Sequence, residues 1–81
     1  MTVTTLRFFA AARAAVGADE VPVTAPTLDE ALASVSADDP ARWTALQERC
    51  SYLVDGVTTR DRATSLEGVS TVDVMPPFAG G

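Results

Sequence analysis

Eighty-one residues make one domain near the lower limit for independent folding, one that buries only about 60% of its unfolded surface. Eleven acidic residues face six basic ones, for a net charge of -5, which argues against nucleic acid and anionic membrane as partners and for a basic protein surface. All six cations are arginine; His is absent and Cys50 is alone, so the usual general base, an internal disulfide and a Cys/His zinc cluster are all excluded.

Residues 3–9, Val3-Thr4-Thr5-Leu6-Arg7-Phe8-Phe9, are β-branched and aromatic and predict a first strand. Alternation puts Leu6 and Phe8 on one face, expected to be the core face, and Arg7 and Phe9 on the other. Ala10 to Val16 predicts a short helix ended by Gly17, with Arg13 either balancing the helix C-terminus or meeting an acidic partner. Asp19 to Thr24 predicts a second strand paired to the first, and Pro22 assigns it to a sheet edge. The apolar run from Phe8 to Ala12 lies between Arg7 and Arg13, too short for a membrane span or a signal segment, so a cytoplasmic protein is expected.

Thr27-Leu28-Asp29-Glu30 has the form of a capping box, and Leu28, Leu32 and Val35 continue as one apolar stripe, which predicts the main helix. Asp39-Pro40 restarts a helix carrying Trp43, Leu46 and Cys50 on its inner face. Cys50 is expected to be a buried small hydrophobe rather than an activated thiolate. Tyr52-Leu53-Val54 and Val57-Thr58-Thr59 flank Asp55-Gly56, the signature of a type I′ hairpin. Residues 60–65 are polar and loop-like, Leu66 to Val69 predicts a turn, and Thr71 to Met75 alternates as the last strand, Val72 and Val74 inward. The order is that of a two-layer α+β domain, with one main helix and short extra helices on a mixed four- to five-stranded sheet.

The last seven residues, Met75-Pro76-Pro77-Phe78-Ala79-Gly80-Gly81, organise the rest. Two prolines lack N–H donors and take the chain out of the sheet. Residues 1–76 are therefore expected to form the domain and 77–81 an extended tail of at most roughly 17 Å. Gly80 and Gly81 carry no Cβ, so a partner's backbone or a nucleotide phosphate can come close to the final carboxylate. That carboxylate is ionised at neutral pH and becomes an acyl donor only after activation, for example as an adenylate.

Phe8-Phe9-Ala10-Ala11-Ala12-Arg13, Arg49-Cys50-Ser51-Tyr52-Leu53-Val54-Asp55-Gly56 and the terminal Asp73-Val74-Met75-Pro76-Pro77-Phe78-Ala79-Gly80-Gly81 together resemble the MoaD family over essentially the whole chain. These are ubiquitin-like sulfur carriers, the small subunits of molybdopterin synthase. The resemblance implies a β-grasp fold with the first and last strands side by side and parallel at the centre. It also implies that Gly81, approached past Gly80, is adenylated by an E1-like enzyme and thiocarboxylated from a sulfur donor protein. The large subunit of molybdopterin synthase then receives the tail and passes the sulfur to the dithiolene of the pterin. The chain itself would bind no cofactor, ATP and Mg²⁺ being used by the activating enzyme, and would serve as co-substrate more than as catalyst. An apolar docking patch of Phe8, Met75, Pro77 and Phe78 is implied around the tail. One departure stands out: Gly68-Val69-Ser70 replaces the Gly-Asp that the family usually carries before the last strand. Other readings of the same features are a carrier for thiazole or thio-amino-acid synthesis, a modifier conjugated to protein lysines, and a ubiquitin-like binding module with a passive tail.

Overall fold

Strand β1 (Thr4–Phe8) buries Thr4, Leu6 and Phe8 and leaves Arg7 exposed, so period-two alternation alone sets which side of the sheet is the core side. The computed structural model describes residues 2–77. After β1 come α1 (Ala10–Val16), β2 (Glu20–Val23), α2 (Leu28–Ala33), α3 (Pro40–Gln47), β3 (Ser51–Val54), β4 (Val57–Thr59) and β5 (Thr71–Met75). The five strands lie in the order β2-β1-β5-β3-β4. Only β1 and β5 run parallel, with Leu6 beside Val72 and Phe8 beside Val74; the other three pairs are antiparallel. The result is the α+β, β-grasp arrangement, with β5 as the central strand.

The helices depart from the expected single main helix. Helix α2 begins as Thr27 predicts, its hydroxyl accepting from the Glu30 N–H at 3.3 Å, but it stops at Ala33. The Ser34 hydroxyl donates to the Ala31 carbonyl at 2.7 Å and competes with the helical ladder, so Val35 falls outside the helix. The eight-residue α3, capped by Asp39 through the Arg42 N–H and started by Pro40, is the longest helix described.

Loops complete what the helix ends lack. Residues 62–66 run past the start of α2, where the Thr64 and Arg62 carbonyls accept from the Leu28 and Asp29 N–H groups at 2.9 and 2.8 Å. Arg62 fastens this loop by reaching Asp29 at 2.7 Å and the Gln47 side chain at 2.8 Å. At the end of α1, Gly17 has φ 87°, and the Asp38 and Asp39 N–H groups donate to Val16 and Ala15. The Asp38 carboxylate fills the space that a Cβ on Gly17 would need.

One core joins the layers. Phe8 meets Trp43 edge to face, ring centroids 5.5 Å apart, while Leu6, Leu28, Leu32, Tyr52 and Val72 close around them with at most 1% exposure. The polar tips are satisfied: Trp43 Nε1 donates to Leu32 O, and the Tyr52 hydroxyl to Gln47 O at 2.8 Å. In the β3–β4 turn Asp55 and Gly56 both have positive φ, 46° and 85°, as a type I′ hairpin demands. The Gly68-Val69-Ser70 departure is accommodated by a turn in which the Val69 N–H donates to Leu66 O at 3.0 Å, with Gly68 at φ 74° and Val69 buried. No helix among the described residues is long and apolar enough to cross a membrane.

Candidate functional site at the root of the C-terminal segment

Strand β5 delivers the chain to the site. Its core-facing residues, Val72 and Val74, are fully buried, so Thr71, Asp73 and Met75 project onto the opposite, open face of the sheet. Register places Asp73 between Arg7 of β1 and Leu53 of β3, and Met75 opposite Ser51. Phe9, one residue past the Phe8–Val74 pair, follows Arg7 on this face. Beyond Met75, Pro76 is buried and Pro77 exposed. Neither can donate to a ladder, so strand pairing ends and the chain leaves the sheet.

The open face carries an apolar strip beside a charged pair, with Thr5, Thr71, Ser51 and Thr58 around them and Glu20 opposite Arg7 on β2. Phe9, Leu53 and Met75 are each half-buried. Arg7 lies between Asp73, whose Oδ1 is 3.4 Å from Arg7 Nε, and Phe9, whose ring centroid is 5.5 Å from the guanidinium carbon. Asp73 Oδ1 is buried and makes no geometrically proper hydrogen bond. The backbone turns sharply here: Ala10, directly after Phe9, has φ 49°.

The expected docking residues divide. Met75 and Pro77 stand at the root of the C-terminal segment with surface to offer. Phe8 does not: it is 2% exposed and packed on Trp43, a core residue, because alternation in β1 turns it inward with Leu6. Phe9 is the aromatic that reaches the open face, and the same alternation already placed it there in the sequence. Leu53 and the Arg7–Asp73 pair were missed because their neighbours come from three strands. Phe78, Gly80 and Gly81 lie outside the described residues. Arg13 ion-pairs with Asp19 at 3.6 Å on the surface, and its carbonyl accepts from the Gly17 N–H.

Cys50 borders the site in sequence and not in chemistry. Its side chain is 3% exposed, and burial pushes the thiol up to about 11, which leaves it protonated at neutral pH. Tyr52 is likewise pushed well above the usual phenol range, by burial first and then by the neighbouring Cys50. Next to the C-terminal segment the open face therefore presents the half-buried Phe9, Leu53 and Met75 beside the Arg7–Asp73 pair.

No curated protein matches the chain. A model of the ThiS family matches residues 6–81, from β1 through the C-terminal segment. A match over nearly the whole chain, on a mixed sheet whose central strand leads into the terminal glycines, makes this protein a member of the ThiS family, ubiquitin-like sulfur carriers.

Proposed function

We propose that this chain is the sulfur-donating small subunit of molybdopterin synthase. Gly81 is the reactive residue: an E1-like enzyme, using ATP and Mg²⁺, joins its carboxylate to AMP with loss of pyrophosphate. A sulfur nucleophile then displaces AMP and leaves a thiocarboxylate. Gly80 keeps the approach slender. The large subunit of the synthase receives the segment beyond Met75, and the sulfur passes to the pterin dithiolene. Docking of both partners in turn falls to Met75, Pro77 and Phe78, with Phe9 in the place first assigned to Phe8.

The observation that carries this reading is the run Asp73-Val74-Met75-Pro76-Pro77-Phe78-Ala79-Gly80-Gly81, whose first three residues belong to the central strand. Two prolines and an aromatic between a stiff strand and two glycines suit insertion into a narrow channel. The family match supports a sulfur carrier as a class, and it favours equally a second reading, a carrier for the thiamine pathway.

The test is the intact mass of the purified chain after incubation with the host's E1-like enzyme, ATP and a sulfide source, beside a chain lacking Gly81. An oxygen-to-sulfur mass change confined to the full-length chain is expected. No change with a demonstrably active enzyme overturns the carrier reading. The thiocarboxylated chain is then offered to the synthase large subunit with its pterin precursor, and to a thiazole-forming system. Sulfur transfer only to the second replaces the molybdopterin assignment with the thiamine one.

A further inference from the structure

We infer that Arg7 is a specificity-determining residue of the open face, and that the partner surface docking there presents a carboxylate side chain to it. The inference rests on the carrier reading above.

Three observations carry it. First, Arg7 is held ready. Its Nε is turned to Asp73 Oδ1 at 3.4 Å and its guanidinium lies over Phe9, while the side chain remains 47% exposed, against 26% for Asp73. Among the described residues no acceptor engages its terminal Nη groups, and Asp73 is its one ion-pair partner; Glu20, opposite it on β2, forms no ion pair. A planar fork turned toward Asp73 on one edge and open on the other suits a carboxylate approaching from outside.

Second, the setting rewards such a contact. Phe9, Leu53 and Met75 are half-buried around the pair, so a docked protein face would exclude water from it. An arginine without an acceptor there would be costly, and one with a well-placed carboxylate would be favourable.

Third, Arg7 reverses the sign of its surroundings. The chain carries a net charge of -5, which calls for a basic partner overall. Arg7, a cation near the root of the C-terminal segment, matched by an acid on such a partner, fixes the rotation at which the carrier docks. Misrotated encounters would set Arg7 against cations and would be rejected.

Steady-state adenylation by the host's E1-like enzyme, read as KM for the carrier and kcat, tests this on the full chain. Arg7→Glu, Arg7→Lys and Asp73→Asn are compared with the wild type, after thermal melts establish that each is folded. Arg7→Glu is expected to raise KM at least tenfold with kcat within twofold. Arg7→Lys, which keeps the charge and loses the fork, falls between. Asp73→Asn leaves KM unchanged or lower, because it releases Arg7 to the partner. A KM for Arg7→Glu within twofold of wild type overturns the assignment. So does a tenfold loss on Asp73→Asn, which would make the carboxylate the residue that is read. A wild-type chain that is never adenylated refutes the carrier reading and this inference with it; a working wild type beside an unaffected Arg7→Glu refutes the inference alone.

Discussion

Asp55 grips Thr71 from both sides: its carboxylate accepts from the Thr71 N–H at 2.9 Å, and its own N–H donates to the Thr71 carbonyl at 2.9 Å. The same carboxylate takes the Ser70 N–H at 3.1 Å. A residue chosen for its turn thus also starts β5. Asp55→Ala is expected to cost about 2 kcal/mol, from lost charge-assisted hydrogen bonds and from a positive φ that alanine tolerates poorly. Asp55→Asn, which accepts both the conformation and one hydrogen bond, should cost about half as much. Urea denaturation of the two variants checks the ordering.

Phe8 and Phe9 should separate stability from docking. Phe8→Ala removes a ring packed on Trp43 and is expected to cost about 3–5 kcal/mol, enough to leave a domain of this size barely folded. Phe9→Ala should leave the melting temperature within a few degrees and weaken partner binding. Calorimetry paired with a binding titration against the E1-like enzyme reads both.

The strained junction offers a stabilising change. Ala10 holds φ 49°, where an L-residue with a Cβ is strained and glycine is not. Ala10→Gly is expected to stabilise the domain by about 0.5–1 kcal/mol. A denaturation midpoint shifted upward with unchanged slope is the signature.

Alkaline pH should loosen the fold through its buried acids. The folded Cys50 thiol ionises near 11 against an ordinary value of 9.0, so above pH 9 the unfolded chain holds fewer protons than the folded one. The stability tied to this group is whole below pH 9.0 and is lost as pH climbs toward 11; Tyr52, shifted the same way, adds to the fall. Stability should thus decline above pH 9, and Cys50→Ala should make the decline shallower while lowering the neutral-pH value. Thiol labelling at pH 8 should likewise be slow in the folded chain and fast in denaturant.

What could be read from the sequence was set by neighbours a few residues apart. Thr27 and Glu30, Asp39 and Pro40, Asp55 and Gly56, and the alternation of Leu6 with Arg7 all act within one turn or one pleat. The end of α2 was local too, yet it depended on the Ser34 hydroxyl choosing a backbone carbonyl over solvent, a choice composition does not announce. Phe8 and Phe9 show a different gap: alternation sorted the two faces correctly, and the docking role was still given to the residue on the core side. Contacts such as Arg62 with Gln47, or Asp55 with Thr71, join segments fifteen and sixteen positions apart. No periodicity carries them, since they exist only once loop and sheet have met. Within the candidate site, the backbone route to the open face was legible from Met75 and the two prolines. The Arg7–Asp73 pair was not, because it forms across a parallel junction whose register the sequence leaves open.

The central position of β5 has a mechanical consequence. A partner that draws the C-terminal segment into a channel pulls along the axis of a strand bonded on both sides, four residue pairs to β1 and four to β3. That load falls on both ladders in shear, where many hydrogen bonds resist together, whereas an edge strand such as β4 would peel bond by bond. A domain loaded from that end therefore resists being unravelled strand by strand.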